Sequence, residues 1–287
     1  MKIDYHIHTL CSDGIFTVEE VLNFIQNRGI QSFSITDHDT ISGTKTAKNF
    51  AAKHKDLLHF ISGIEITCRE ISIPNVSTPF SIHLLGYGFD ENNEMLLKRL
   101  EERATMSRHV FETLAGELSS LGYNTKIEDI PISCGNVLQL CDVSSYIQKT
   151  YAPKDETPFA LIDSYASSLS SVNITPKEGI SLIHGAGGMA VWAHPFCVYH
   201  HFQKVQISRQ DIDTILSYLT SIGLDGLEAD YLAFSETDRQ WLRTLAARFG
   251  CFYTAGSDFH GANGRDIMGV DSKSTALQSY DKQFDIS

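Results

Sequence analysis

The sequence "MKIDYHIHTLCSDG" (residues 1–14) carries the first signal of fold and function. Apolar and polar residues alternate from Lys2 to His8, which predicts a β-strand with His6 and His8 on the same face. Asp13 follows in a short polar turn. Two imidazoles on one face of a strand suit metal binding better than a hydrophobic core. Similar side chains at the ends of the other predicted strands would therefore support a metal site.

Strand and helix patterns alternate on both sides of a helical middle segment. A capping box formed by Thr17 and Glu20 predicts the start of the first helix. From about residue 92 to 173 the sequence predicts one long helix, short helical pieces and polar loops. The order predicts a parallel sheet closed into a barrel, with an open doubly wound sheet as the alternative. We expect barrel segments at residues 1–98 and 175–287, and a helical insertion at 99–174 that caps the substrate pocket.

The composition argues against several classes of protein. The 287 residues are 42% hydrophobic and 20% charged, as in ordinary globular domains. No apolar run approaches the ~20 residues of a membrane helix, and no signal peptide is predicted. The six cysteines, Cys134 among them, form no C-x-x-C pair, so we expect a reduced, cytoplasmic setting. The net charge of −12 disfavours long nucleic acids as ligands, and no obligate protein partner is evident.

Metal-ligating side chains recur at or near the end of nearly every predicted strand. They are His6, His8, Asp13, His38, Glu65, His83, His194, Asp258 and His260. The carboxyl ends of parallel barrel strands lie on one face, so these residues would share one mouth. Because one zinc ion takes three or four ligands, nine ligands suit two or three divalent ions. Imidazole-rich sets favour Zn²⁺, Mn²⁺ or Fe²⁺ over Mg²⁺ or Ca²⁺.

Charge arithmetic points to a phosphorylated ligand. Three divalent ions would bring six positive charges, and Asp13, Glu65 and Asp258 would cancel three of them. Such a pocket would attract a phosphate monoester, and its ions would lower the pKa of a bound water towards ~7.

Other titratable residues have plainer interpretations. For Asp37 and Asp39, which flank His38, orientation of a ligand and simple turn capping explain the pattern equally well. The remaining histidines do not fit the strand-end pattern and are interpreted as surface or packing residues: His54, His59, His109, His184, His200 and His201.

Several motifs resemble those of the PHP (polymerase and histidinol phosphatase) domain family. They are "HIHTLCSDG", "TDHD", "GIEI", "HLLGYGF", "AGGMAVWAHPF" and "AGSDFHG", in the family's order. The resemblance implies a distorted (β/α)7, TIM-like barrel with a trinuclear metal centre. The inserted helical subdomain resembles the branch of 3′,5′-nucleotide bisphosphate phosphatases and 5′-end RNA exonucleases.

The resemblance also implies a division of the ligands among three ions. One ion would be held by His6, His8, Glu65 and Asp258, a second by Glu65, His83 and His194, and a third by Asp13, His38 and His260. A hydroxide between the ions would attack phosphorus. His38 or His260, or a metal-bound water, would protonate the leaving group, and Asp13 would complete the catalytic set.

The resemblance further implies that Arg103 and Arg108 clamp a second phosphate of the substrate, for which bidentate guanidinium groups are suited. The alternative is that both are solvent-facing arginines on an ordinary helix. The chain departs from its relatives at "QLCDVSSYIQ", where they carry an "RPHIA"-like stretch, and at "SLSSVNIT", where they carry a "GKPAYV"-like stretch. The substrate pocket is therefore expected to differ from theirs.

The leading hypothesis is a metal-dependent phosphoesterase that releases inorganic phosphate from a small phosphorylated metabolite, such as a nucleoside 3′,5′-bisphosphate. The alternatives are a 5′–3′ exonuclease acting on short RNA or DNA oligonucleotides, a histidinol-phosphate phosphatase, and a non-catalytic metal-binding module.

Overall fold

The computed structural model describes residues 2–133, 135–201, 203–262, 264–272 and 277, so Cys134 lies outside the described residues. The strands are β1 (Lys2–Asp4), β2 (Ser32–Phe33), β3 (His59–Phe60), β4 (Gly63–Thr67), β5 (His83–Tyr87), β6 (Met189–Trp192), β7 (Val198–His200), β8 (Gln203–Val205), β9 (Gly226–Tyr231), β10 (Phe252–Gly256) and β11 (Val270–Asp271). The helices are α1 (Val18–Asn27), α2 (Thr44–Lys53), α3 (Glu94–Ser120), α4 (Leu140–Tyr151), α5 (Thr157–Ser164), α6 (Ala166–Val172), α7 (Pro176–Gly185), α8 (Arg209–Ser221) and α9 (Glu236–Arg248).

The strands form two sheets and a small hairpin. One sheet has the order β11-β1-β2-β3 and the other β10-β9-β6-β5-β4, while β7 pairs with β8. Backbone hydrogen bonds connect the two sheets on two sides. The Tyr5 N–H donates to Ala255 O (3.0 Å), and the Asp39 N–H donates to Glu65 O (2.8 Å). The chain segments that leave β1 and β2 therefore reach the other sheet.

The direction of β5 corrects the prediction of a parallel sheet. This strand pairs antiparallel with both β4 and β6. Residues 68–82, all of them described, join β4 to β5 without a helix, whereas a parallel return usually needs a helical crossover. His83 therefore begins its strand instead of ending it. Because β5 runs in the opposite direction, its start lies at the same edge as the carboxyl ends of β4 and β6.

Helices cover the outer faces of the sheets. The predicted capping box at Thr17 and Glu20 is confirmed as the start of α1. Buried Leu22 and Ile25 of α1 belong to the same apolar cluster as Phe33 of β2. Helices α7, α8 and α9 contribute to the larger cluster that contains Trp192 and Leu227 of the five-stranded sheet. These clusters lie between sheet and helices, and a further cluster includes Ile3, Leu85 and Ala255 from strands of both sheets.

The middle segment is helical, as the sequence predicts, and no strand occurs among its described residues between 94 and 172. Its own apolar cluster includes Phe111, Leu118 and Ile147. Helix α3 also contributes Leu96 and Leu100 to the larger cluster of the five-stranded sheet. One continuous helix therefore joins the middle segment to that sheet's core. Among the described residues, no helix is both long and apolar enough to cross a bilayer.

Gly256, at the end of β10, provides a test of this packing. A Cβ there would overlap the His6 side chain and Oε1 of Glu228. We expect Gly256→Ala to lower the free energy of unfolding by about 1–3 kcal/mol, measured by urea denaturation. The control is Gly116→Ala in α3, where a Cβ would meet nothing within 4 Å. That change should stabilise the protein by about 0.5–1 kcal/mol, and equal shifts in both variants would contradict the packing described.

Candidate metal centre

The carboxylate of Glu65, fully buried in β4, lies at the middle of the site. Its Oε2 lies 3.0 Å from both His6 Nε2 and His8 Nε2. Oδ1 of Asp258 faces the same two nitrogens at 3.4 and 3.2 Å. All four residues are buried, and their donor atoms lie within 4.8 Å of one another. The structure thus brings together the residues expected to hold the first ion.

The other oxygen of Glu65 faces a second pair of imidazoles. Oε1 lies 3.0 Å from His83 Nδ1 and 3.1 Å from His194 Nε2. His38 Nε2 approaches from the Oε2 side at 3.4 Å, and its donor atom groups with those of Glu65 and His83. Glu65 therefore contacts five histidines, and both of its oxygens face imidazoles.

A third group surrounds Asp13. Its Oδ1 lies 3.1 Å from His260 Nε2 and 3.4 Å from His8 Nδ1, and its Oδ2 lies 4.0 Å from His38 Nε2. Asp13 and His38 are 17 and 18% exposed, which makes this the more open side of the site. Each of the nine residues expected to ligate metal thus contacts at least one other member of the set.

Three residues at this site have a left-handed backbone. The φ angles are 55° at Asp39, 28° at His194 and 56° at Asp258. Non-glycine residues in this region cost on the order of 1–3 kcal/mol each, so the surrounding bonds must hold them there. The Cys197 N–H donates to His194 O (2.7 Å), which closes a tight turn after β6.

Glu228 of β9 is a site residue that our sequence analysis missed. This fully buried carboxylate contacts His6 Nδ1 through Oε1 (3.1 Å) and accepts the His194 N–H through Oε2 (2.9 Å). It therefore orients the His6 ring so that Nε2 points at Glu65, as outer carboxylates do in metal sites. The available signal was weak, because the stretch "LDGLEAD" carries Asp225 and Asp230 as well as Glu228.

The two aspartates that flank His38 have different partners. Asp37 accepts the Thr9 N–H (2.7 Å) and the Ser12 hydroxyl (2.7 Å), which fixes the loop that carries Asp13. Asp39 accepts the Thr67 N–H (3.1 Å) and pairs with Arg103. Both carboxylates therefore hold backbone near the site.

Asp258 has one oxygen fixed by protein groups and one directed at the imidazoles. Its Oδ2 accepts the Tyr231 hydroxyl and the Arg265 guanidinium, each at 3.0 Å. Its Oδ1 faces His6 and His8. This arrangement leaves one lone-pair-bearing oxygen for a cation.

The electrostatics of the site demand positive charge. Burial alone would raise the pKa of the Glu65 carboxyl, but attraction by His6, His38 and His83 outweighs it and holds that pKa well below its usual range. Burial, with repulsion by His8 and His83, lowers the pKa of His38 to about 3 despite nearby carboxylates. His38 is then neutral at pH 7, the state in which an imidazole binds metal.

Three buried donor atoms test whether metal ions fit. His8 Nε2, Asp258 Oδ1 and His260 Nε2 have no hydrogen-bond partner in the described part of the chain. Buried polar atoms are normally satisfied, and these three point into the groups described above. Imidazole nitrogens with carboxylate oxygens are a donor set for divalent transition metals. The residues present therefore fit such ions.

The two predicted arginines lie in different surroundings. Arg103 is 17% exposed, donates to Asn173 Oδ1 through Nε (3.2 Å), and pairs with Asp39 Oδ2 (3.0 Å). Arg108 is 60% exposed and pairs with Glu112 (2.9 Å) and Glu128 (2.7 Å). The structure thus brings Arg103 to the edge of the site and places Arg108 among surface glutamates.

Comparison with known proteins identifies the family. The PHP domain profile matches residues 4–177, which is more than half of the chain. The chain belongs to the PHP domain family. This match covers all six of the predicted ligands that precede the helical insertion, and they include Glu65, which five of the histidines contact.

Relatives of the chain align with about nine tenths of it at low identity. The 5′-3′ exoribonuclease Rnm of Salmonella typhimurium is 25% identical over 274 residues, 90% of this chain and 84% of that protein. The 3′,5′-nucleoside bisphosphate phosphatase of Chromobacterium violaceum is 25% identical over 285 residues, 93% of this chain and 90% of that protein. A solved structure from Chromobacterium violaceum, described as an amidohydrolase with bound sulfate, has a TM-score of 0.70 at 24% identity, covering 95% of this chain and 92% of its own. It shows that this chain shares one fold with that protein over nearly its whole length.

Replacement of Glu228 tests its role in orienting His6. We expect Glu228→Gln to weaken binding of Mn²⁺ or Zn²⁺ by about 10–100-fold, because the amide cannot accept both hydrogen bonds as a carboxylate does. Metal affinity is measured by competition with a chelator. Glu112→Gln, on the exposed side of α3, should bind metal like the wild type. Unchanged affinity in Glu228→Gln would contradict the role.

Proposed function

We propose that the protein is a metal-dependent phosphoesterase that hydrolyses a phosphate monoester of a small phosphorylated metabolite. The observation that carries the proposal is the buried Glu65 carboxylate. Its two oxygens face five imidazoles, so it would bridge two metal ions when they are bound. Membership of the PHP family and relatives named as phosphatase and exoribonuclease support the same class of reaction.

Two or three divalent ions of Mn²⁺, Zn²⁺ or Fe²⁺ would occupy the groups that contain Glu65, Asp258 and Asp13. When bound, such ions activate water as a nucleophile and stabilise charge on the phosphoryl oxygens. The nine proposed ligands are His6, His8, Asp13, His38, Glu65, His83, His194, Asp258 and His260.

The protein's own groups would position the ligands and the substrate. His260 Nδ1 donates to the carbonyl of Asp258 (2.8 Å), so the lone pair of Nε2, on the side of Asp13, would be left for a metal ion. His38, His260 and Asp13 form the proposed catalytic set, because this group lies on the more open side, where a substrate would enter. His38 and His260 both have lowered pKa values, chiefly from burial, so each is neutral near pH 7.

We also propose that the two sheets close into the distorted (β/α)7 barrel implied by the sequence. The backbone hydrogen bonds at Tyr5 and Asp39, which reach from one sheet to the other, support closure. In this arrangement residues 1–98 and 175–287 form the barrel, and 99–174 form the inserted cap. The scattered cysteine pattern supports a cytoplasmic location.

The favoured substrate is a nucleoside 3′,5′-bisphosphate, with inorganic phosphate as a product. Arg103, at the edge of the site, would clamp its second phosphate, and Arg108 is the second proposed contact. The net charge of −12 favours such small ligands over long nucleic acids. A 5′-phosphorylated short oligonucleotide is the second candidate, because the Salmonella typhimurium relative is an exoribonuclease that aligns with 90% of the chain.

Loss of one proposed ligand tests the activity. With Mn²⁺ present, the protein should release phosphate from p-nitrophenyl phosphate and from a nucleoside bisphosphate. Asp258→Asn should lower kcat/KM by at least about 100-fold. The substitution removes the negative charge of a proposed metal ligand, the carboxylate that faces both His6 and His8. The control is His109→Ala, an 81% exposed residue on α3. Full activity in Asp258→Asn would refute the assignment, and a higher rate on an oligonucleotide than on a mononucleotide would favour the exonuclease.

Replacement of Arg103 tests the clamp. Arg103→Ala should raise KM for the bisphosphate about 10-fold and leave KM for the corresponding monophosphate nearly unchanged, because only the bisphosphate offers a second anion. Arg108→Ala is measured in the same way to test the second arginine. Lys98→Ala, a 78% exposed cation on the same helix, serves as the control. Equal effects of Arg103→Ala on both substrates would argue against a clamp.

A further inference from the structure

A second group of metal-type donors lies outside the candidate metal centre. It consists of Glu70, which follows β4, His200, which ends β7, and His201 in the turn to β8. The donor atoms of these three side chains lie within 4.8 Å of one another. Both histidines were interpreted from the sequence as surface or packing residues, because they do not fit the strand-end pattern.

The spacing of the donors suits one tetrahedral ion. Glu70 Oε2 lies 3.2 Å from His200 Nδ1 and 3.7 Å from His201 Nε2. Around a zinc ion with ligand bonds of about 2.0–2.1 Å, neighbouring ligand atoms are roughly 3.4 Å apart. The observed separations lie on either side of this value, so only a small movement of the side chains would be needed.

One donor atom of this group has no hydrogen bond among the described residues. His200 Nδ1 is buried and has no hydrogen-bond partner in the described part of the chain, although Glu70 Oε2 lies beside it. A simple ion pair between imidazolium and carboxylate would be expected to share a proton in hydrogen-bond geometry. A nitrogen and an oxygen that face each other without such geometry are better explained as two ligands of one cation.

The local backbone holds the group in place. Glu70 Oε1 accepts the backbone N–H of His201, so the carboxylate is anchored by one oxygen and offers the other to the imidazoles. His201 has a left-handed φ of 47°, and its ring stacks on that of His200 with centroids 4.1 Å apart. The carboxylate and both rings therefore have defined positions in the absence of an ion.

We propose that Glu70, His200 and His201 bind one divalent transition-metal ion of the zinc class, at a site separate from the candidate metal centre. Two imidazoles and one carboxylate are a common protein set for such ions, and water would supply the remaining ligand. This proposal does not rest on the proposed phosphoesterase activity.

The ion would link three parts of the molecule beside the candidate metal centre. It ties the β7–β8 hairpin to the segment after β4, and the Glu70 N–H donates to Ser170 Oγ (3.2 Å) in α6 of the helical insertion. Tyr199, the neighbour of His200, stacks on the His83 ring with centroids 5.1 Å apart. The ion would thus fix the β7–β8 hairpin, whose Tyr199 supports the His83 ring that contacts Glu65.

The test is a count of bound zinc together with its location in a crystal. The double variant Glu70→Gln/His201→Asn keeps an oxygen acceptor at position 70 and places Asn, which tolerates a left-handed φ, at position 201. Metal-free protein is equilibrated with zinc chloride, and zinc per chain is measured after removal of free ion. We expect the double variant to bind one ion fewer than the wild type, while His109→Asn binds the same number as the wild type.

Anomalous scattering at the zinc edge, from crystals of the wild-type protein with zinc chloride, gives an answer that does not depend on folding of the variant. The proposal expects a peak about 2.0–2.2 Å from the donor atoms of Glu70, His200 and His201. Peaks at the candidate metal centre with none at Glu70, or an unchanged zinc count in a folded double variant, would overturn it.

Discussion

Burial of the Glu65 carboxylate among five imidazoles is the constraint on which the rest of the structure depends. A charged carboxylate without compensation in a protein interior costs several kcal/mol, so positive charge must accompany it. Protons on the histidines can supply some of it: burial alone would lower the pKa of His6, but Glu65 and Glu228 hold it well above its usual range. Divalent ions supply more charge in the same space and also satisfy the donor atoms that have no hydrogen-bond partner.

This constraint explains features of the fold that packing alone leaves unexplained. The antiparallel direction of β5 brings His83 to the strand edge where Glu65 and His194 also lie. Glu228 is fully buried in β9, and its burial is compensated by bonds to two groups of the site, the His6 ring and the His194 N–H. Asp37 is likewise buried, and the loop with Asp13 depends on it. Acidic residues behind the ligands thus convert a flexible set of imidazoles into an ordered one.

The side chains selected from the sequence lie together in the structure, but their geometry was not predictable. His6 and His8 were recognisable because a strand alternates its faces, and residues such as His38 and Asp258 because they follow apolar strands. The direction of β5 was not predictable, since alternation is the same for parallel and antiparallel strands. Glu228 escaped notice because an acidic residue in a strand has the same pattern whether it faces solvent or a histidine. The pairing of Arg103 with Asp39, and of Glu70 with His200, depends on contacts between segments far apart in the chain.

The left-handed backbones of Asp39, His194 and Asp258 have a consequence for any attempt to make this protein more heat-resistant. Glycine at any of the three would relieve local strain, but it would also delete a side chain that is either a proposed ligand or holds the backbone beside the ligands. Strain-relieving substitutions chosen for stability alone would therefore discard the chemistry of the site. A screen that measures metal retention as well as survival on heating would avoid that outcome. At these three positions the requirements of stability and of metal binding conflict.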